Sequence, residues 1–385
     1  MSRLEYRLAS LALRVFGLLF SLLPIVPDRV VLASPRTSRL EGNLAHIHAA
    51  LLAHDPGLRP VVLVETYAYG LRGKIAYFAR MVRGMYYLRT ARLFVVDNAY
   101  LPVHVAPHRR GTTVVQVWHA ASAIKRFGMD TVRPPEEPER TFLHRYYDAV
   151  LVSSEAVRGV YAAGLRTPVE RVLALGIPRT DFFFDEAALA AARGRLLDAY
   201  PVLRGRRVVL HAPTLRGRGS DKVSAAELDP VALRARLPQD VALILKPHPN
   251  VLTASLPTGG YDVLVDPAED MNELLALTDI LVTDYSSAVF EFALLRRPMV
   301  LLIGDLAEYS RDPGVCVDFA TDMVGAQVTD TDGVAAAILA DAFDLSGYDA
   351  FLAHHMAACD GRAAERFVDH FAADLGVRSG PSSRA

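Results

Sequence analysis

The chain has 385 residues, 51% hydrophobic and 22% charged, a balance that describes a folded globular protein and excludes an intrinsically disordered one. Its formal net charge of -1 excludes a global electrostatic pull toward nucleic acid, so any anion binding must be local. Two cysteines, Cys316 and Cys359, exclude a disulfide framework and a multi-cysteine zinc site, and fit a reducing compartment.

The chain opens on an apolar run, LASLALRVFGLLFSLLPIVP, preceded by Arg3 and Arg7. Only a weak cleavage site follows it, which argues against a secretory signal, and Arg14 inside the run makes a membrane-spanning helix costly. The expectation is a helix that packs on the domain or lies in a membrane interface. Between Glu65 and Asp97 there is no acidic residue, while Arg72, Lys74, Arg80, Arg83, Arg89 and Arg92 alternate with Tyr77, Phe78, Met81, Met85, Tyr86, Tyr87 and Leu88. This composition suits an anionic membrane surface, and equally a solvated basic face around an aromatic core stripe.

Short apolar runs then alternate with helical patterns, the signature of α/β architecture with parallel sheets. Strands are predicted at RVVLAS, PVVLVE, RLFVVD, TVVQVW, DAVLVS and ERVLAL, and in the second half at RVVLHAP, VALILK, YDVLVD, DILVTD and PMVLLI. The segment DEAALAAARGRLLDAYPVLRGRR, helix-forming and then basic, reads as the crossing between halves. The expected organisation is two Rossmann-like domains, 1–190 and 191–375, facing a central cleft, with a disordered tail at 376–385. No G-x-G-x-x-G follows the early strands, which argues against a dinucleotide-dependent dehydrogenase.

Several strand ends carry polar residues in excess of what packing needs. In WHAASAIKRFG, His119 at the strand's carboxyl edge is a candidate base, and Lys125 with Arg126 can meet a phosphate. LGIPRTDFFF makes a rigid turn able to aim Arg179 into the cleft. HAPTLRG places Thr214 and Arg216 after a strand, and LKPHPN holds His248 between two prolines with Lys246 beside it. In DILVTDYSSAVFEFALLRRP a buried strand turns through TDYSS into a helix that Pro298 stops. Ser286 or Ser287 can cap that helix, leaving further backbone N–H groups to face a phosphate. Glu291, four residues past Ser287, shares its helical face and can offer a carboxylate to ribose hydroxyls. Each feature alone also fits a plain structural role: a capping serine, a bonded histidine, a turn, an exposed helix carboxylate. Together they suggest a cleft rich in anion ligands with two histidines and no metal. His354, His355 and Cys359 read as surface helix, since adjacent histidines on a helix point apart.

In this order, WHAASAIKRFG, LGIPRTDFFF, APTLR, LKPHPN and DMNELLALTDILVTDYSSAVFEFALLRRP closely resemble the CDP-glycerol glycerophosphotransferase family, the teichoic acid primases and polymerases of bacterial cell walls and capsules. The resemblance runs from about residue 90 to 320 and extends more weakly to GNLAHIHAALL. It implies a GT-B fold at the cytoplasmic face of the bacterial membrane, peripherally bound. It also implies transfer of a polyol phosphate, glycerol phosphate first, from a CDP-alcohol to a hydroxyl of a lipid-linked acceptor, with no cofactor. His119 matches the family's general base and His248 the histidine that contacts the donor pyrophosphate; Thr214, Arg216, Ser286 and Ser287 fall at donor-phosphate positions. Ala120 stands where a glycine is common, Leu215 where tryptophan is, and Thr180 where asparagine is, departures that bear on donor and acceptor identity. The chain's length leaves little room beyond two catalytic halves, which favours single addition. The alternative within this architecture is a nucleotide-sugar glycosyltransferase or epimerase.

Overall fold

A computed structural model describes residues 3–66, 70–131, 144, 146–216, 223–224, 228–247 and 259–375. The chain divides into two compact units, one built from residues up to Ala121, Phe127–Asp181 and Ala357 onward, the other from Ser122–Arg126 and Phe182–Met356.

In the first unit, β1 (Val30–Ser34), β2 (Val61–Val64), β3 (Leu93–Val96), β4 (Thr113–Gln116), β5 (Ala149–Leu151) and β6 (Val172–Leu173) form one sheet in the order β2-β1-β3-β4-β5-β6. Every pairing is parallel. All of β1 and β3 is buried, as expected of strands covered on both faces. The helix Gly42–His54 turns Leu44, Ile47 and Leu51 onto that sheet, at helical spacing.

The same core contains Phe367, Val368 and Phe371 from the helix Ala363–Phe371 and Leu375 from the 3-10 turn after it. Asp181 of the LGIPRTD turn accepts hydrogen bonds from the backbone N–H of Ala363 (2.9 Å) and Ala364 (2.8 Å) at the start of that helix. This corrects the expected domain cut at 190/191. Residues 357–375 return to the first unit because their apolar face completes its core and Asp181 caps them, while Phe182 onward already belongs to the second unit.

The N-terminal apolar run forms the helix Arg3–Phe20, which packs against the helix Gly70–Thr90. Gly17 permits the approach: a Cβ there would lie 2.9 Å from the Arg89 guanidinium and 3.1 Å from the Met85 sulfur. Leu13 is fully buried, and Arg14 donates from Nε to the Val105 carbonyl at 2.7 Å. The opposite face, Leu4, Leu8, Leu11, Val15 and Leu18, is exposed. No described helix is long and apolar enough to cross a membrane. In Gly70–Thr90 the two readings of the basic stretch divide along the helix. Met81, Met85 and Leu88 are core; Arg89 is buried and donates to the Pro107 carbonyl; Lys74 pairs with Glu5 and Arg80 with Glu65. Leu71, Ile75 and the Arg72 and Arg83 side chains remain exposed.

The second unit continues with β7 (Arg207–Ala212), β8 (Leu215–Arg216), β9 (Val223–Ser224), β10 (Val241–Leu245), β11 (Val263–Leu264), β12 (Ile280–Thr283), β13 (Met299–Leu302) and β14 (Ala326–Val328). Its main sheet has the order β11-β10-β7-β12-β13-β14, with parallel pairings, and β8 and β9 form a separate antiparallel pair. The predicted strand YDVLVD shrinks to the two-residue edge β11, while β14 and the β8–β9 pair go beyond the predicted strands. His355 and Cys359 also depart from expectation. Both are buried, and the His355 ring sits 5.0 Å from Phe290 and 4.7 Å from Phe351, so only His354 fits a surface helix.

Candidate active site

The parallel strands bring the predicted residues to the carboxyl edge of each unit's sheet. In the first unit, β1, β3 and β4 are neighbours, and their ends carry Ser34, Asp97 and the Trp118–His119 pair. Asp97 is 8% exposed; burial raises its pKa, against a hydrogen bond from Ser34 and the nearby charges of Arg36 and Arg179. Trp118 adopts φ 49°, the left-handed region, which for a bulky residue costs about 1–3 kcal/mol and persists only where surrounding bonds enforce it.

Those bonds are present. The Trp118 N–H donates to Gln116 Oε1 at 2.8 Å, and its carbonyl accepts from Asn43 Nδ2 at 2.8 Å. Asn43 Oδ1 accepts the Arg179 N–H at 3.0 Å, and the Arg179 guanidinium donates to the His119 carbonyl at 2.8 Å. Tyr161 closes the loop from the far side, its hydroxyl donating to the Ala120 carbonyl at 2.9 Å. The indole of Trp118 lies 4.5 Å from the His119 imidazole. His119 is thus a half-buried imidazole on a rigid, strained corner, suited to proton transfer at a fixed point. Arg179, predicted to aim into a cleft, ties this corner through both its backbone and its guanidinium.

In the second unit the corner TDYSS follows β12, next to the end of β7. Thr283 Oγ1 donates to the Ala212 carbonyl at 2.6 Å. Asp284, 3% exposed, accepts from the Thr214 N–H (2.9 Å) and hydroxyl (2.8 Å), and from the Arg216 guanidinium (2.8 Å). Arg216 donates also to the Thr214 hydroxyl (2.8 Å) and, through Nε and a terminal nitrogen, to Asp305 at 2.7 and 3.2 Å. Asp305 follows β13, the next strand, and accepts from the Tyr285 hydroxyl at 2.8 Å. The Tyr285 and Tyr309 rings stack at 3.8 Å, with the guanidinium 5.1 and 4.8 Å from their centroids. Burial opposes the Arg216 charge, yet Asp305 and Asp284 outweigh it and hold the pKa above its ordinary value.

TDYSS is therefore a cross-linking corner first. Thr283, Asp284 and Tyr285 join three adjacent strand ends, and the half-buried Ser286 and Ser287 are its solvent-reaching members. Ser286 Oγ accepts from the Ala288 N–H at 3.2 Å, while Ser287 makes no capping bond with its side chain. Lys125 belongs to this unit, pinned by a backbone bridge to Val315. It is solvent-accessible, but desolvation lowers its ammonium pKa against the attraction of Asp284. Two hydroxyls and an ammonium close to the strand edges can receive phosphate oxygens.

Three predicted ligands are placed differently from expectation. Arg216 is already held by two carboxylates, Asp284 and Asp305, and so braces the corner. The Lys246 ammonium gives all three protons to the carbonyls of Asp266 (3.0 Å), Pro267 (2.8 Å) and Glu269 (2.7 Å), which makes it the clamp of the loop before the helix Met271–Leu277. Desolvation lowers its pKa despite neighbouring carboxylates. Glu291 is 2% exposed, so it is not the exposed helix carboxylate that a plain structural role would make it. His248 lies outside the described residues. The end of β7, the strand beside β10, carries His211, whose Nδ1 is 2.6 Å from the Tyr261 hydroxyl and whose pKa burial pushes down to about 3. Sequence reasoning missed Asn43, Gln116, Asp284 and Asp305; a polar residue closing an apolar strand, as Gln116 does, was the available signal.

The chain is similar to known proteins along nearly its whole length. A teichoic acid ribitol-phosphate primase of Bacillus spizizenii is 32% identical over 375 residues, covering 94% of this chain and 96% of the primase. A teichoic acid poly(ribitol-phosphate) polymerase of the same organism is 33% identical over 356 residues, or 91% of this chain, which spans 57% of that longer enzyme. Among solved structures, the wall teichoic acid polymerase TagF shares the fold with a TM-score of 0.75 at 20% identity over 97% of each chain, which supports the GT-B class. The profile of the CDP-glycerol:poly(glycerophosphate) glycerophosphotransferases matches residues 16–372, and the chain belongs to that family.

Proposed function

We propose that the protein transfers a polyol phosphate from a CDP-alcohol to a hydroxyl of a lipid-linked acceptor in teichoic acid or related polymer synthesis. The observation that carries this reading is the match of nearly the whole chain to a ribitol-phosphate primase, with His119 held on a braced corner. The acceptor oxygen attacks the β-phosphorus of the donor while His119 takes its proton. The new O–P bond forms as the bond from that phosphorus to the bridging oxygen breaks, and CMP leaves with the bridging oxygen. Ser286, Ser287 and Lys125 receive the phosphate charge, and His248 contacts the donor pyrophosphate, the role that the family resemblance implies for it. Glycerol phosphate is the sequence expectation; the ribitol names of the relatives at 32% and 33% identity favour ribitol phosphate, and the primase among them favours single addition.

The protein docks peripherally on the cytoplasmic face of the membrane through the exposed leucines of Arg3–Phe20, with Leu71 and Ile75 of the following long helix. Release of CMP from CDP-ribitol and from CDP-glycerol, each with a lipid-linked disaccharide acceptor, tests the reaction. Acceptor-dependent CMP release supports it, and its absence with both donors rejects it. Sedimentation with anionic vesicles tests docking: Leu4→Gln with Leu8→Gln and Leu11→Gln should weaken binding by about a thousandfold or more, given roughly 1.5–3 kcal/mol per fully buried leucine. Unchanged sedimentation would reject this face.

A further inference from the structure

We infer that Gln116 and Asn43 are positioning residues that set the His119 imidazole by enforcing the left-handed turn at Trp118. The inference rests on the reading of His119 as the base. A chain that needed only a tight turn after β4 would place glycine at position 118, where positive φ is unstrained. This chain keeps a tryptophan there, 8% exposed and at φ 49°, and grips both polar groups of its backbone with side-chain amides. Gln116 Oε1 takes the Trp118 N–H at 2.8 Å, while Asn43 Nδ2 gives to the Trp118 carbonyl at 2.8 Å and the Val117 carbonyl at 3.2 Å.

Each amide is itself oriented, so neither can flip without breaking further bonds. Gln116 Nε2 donates to the Tyr147 hydroxyl (2.9 Å) and the Asn98 carbonyl (3.1 Å), and that hydroxyl meets His144 Nδ1 at 2.9 Å. Asn43 Oδ1 is fixed by the Arg179 N–H at 3.0 Å. Gln116 is fully buried and Asn43 is 4% exposed, so water cannot replace either bond. The consequence reaches His119 by two routes: its carbonyl is held by Arg179 at 2.8 Å, and the Trp118 indole lies against its ring at 4.5 Å and 36°. Relaxation of Trp118 to negative φ would redirect the next residue, and misplacement of a base by about 1 Å can cost about a hundredfold in rate.

The test is Gln116→Met, which keeps the volume and removes the acceptor. Turnover with CDP-ribitol or CDP-glycerol should fall about tenfold to a hundredfold with donor affinity within about twofold. The His119 ring resonance, assigned by its loss in His119→Asn, should shift and titrate differently. Gln116→Glu, which retains the acceptor for the Trp118 N–H, should recover part of the rate. In a Trp118→Gly background, where no clamp is needed for positive φ, adding Gln116→Met should cost less than about threefold. An equal cost in both backgrounds, or an unchanged His119 titration, overturns the inference. Should Gln116→Met not fold, Asn43→Ser makes the same test from the carbonyl side. If the wild type turns over neither donor, the functional reading fails, while the His119 resonance still decides the clamp.

Discussion

Replacing Arg216 by methionine separates a bracing role from a phosphate-binding one. The guanidinium bonds Asp284 and Asp305, whose side chains are 5% and 22% exposed, and itself keeps 19% exposure. Breaking a buried ion pair from one side costs about 3–5 kcal/mol, and the remaining solvent contact places this case at about 3 kcal/mol. Loss of the cation–π contacts with Tyr285 and Tyr309 adds about 0.5–1 kcal/mol. Asp284→Asn in the Arg216→Met background should recover about 1–2 kcal/mol, because it removes the stranded charge. Urea unfolding of the four proteins measures the cycle, and calorimetry with CDP measures binding alongside. Unfolding within about 1 kcal/mol of wild type, together with a loss of CDP affinity of about tenfold or more, would refute the bracing role and restore Arg216 as a phosphate ligand.

Lys246→Met should destabilise the protein by about 1–3 kcal/mol by leaving three carbonyls without their donor, with CDP affinity within about twofold; a large affinity loss at unchanged stability would contradict the clamp. Gly176→Ala should cost about 1–3 kcal/mol from its φ of 89° alone, and more because the new Cβ would lie 2.1 Å from the Ala358 carbonyl oxygen, a backbone atom; a Tm unchanged from wild type would contradict that packing. Burial holds His144 and His355 at about 4 and His211 at about 3, against about 6.5 in the unfolded chain. As the pH falls below 6.5 the unfolded state gains protons that the folded state refuses, so their stabilisation is present above about pH 6.5 and is lost down to about pH 4, and to about pH 3 for His211, by up to about 1.4 kcal/mol per pH unit per histidine. His211→Asn should flatten the slope between pH 6.5 and 4 in urea titrations; an unaltered slope would contradict a neutral, buried His211.

The sheets were legible because parallel strands covered on both faces leave unbroken apolar runs, as in RLFVVD and DILVTD. β14 and the β8–β9 pair were not, and YDVLVD overstated the two-residue β11, since a strand of two or three residues needs no such run. The strand-end residues were legible as a set, but what each one bonds was not. Arg216 and Lys246 read as cations for a ligand because Asp305 and the Asp266–Glu269 carbonyls that engage them lie tens of residues away in sequence. Asn43 sits in the weaker motif GNLAHIHAALL, and nothing local marks an amide whose partner is the Trp118 carbonyl 75 residues on. The return of residues 357–375 to the first unit was hidden for the same reason: the cap at Asp181 and the helix it starts are 182 residues apart.

The central claim is best tested by mass spectrometry of a short-chain lipid-linked disaccharide after incubation with the purified protein and, separately, CDP-ribitol and CDP-glycerol. The expected result is a mass increase of one polyol phosphate, larger in yield with CDP-ribitol, and abolished in His119→Ala while CDP binding persists. No mass change with either donor, or a product carrying a sugar when nucleotide-sugars are supplied instead, would contradict polyol-phosphate transfer.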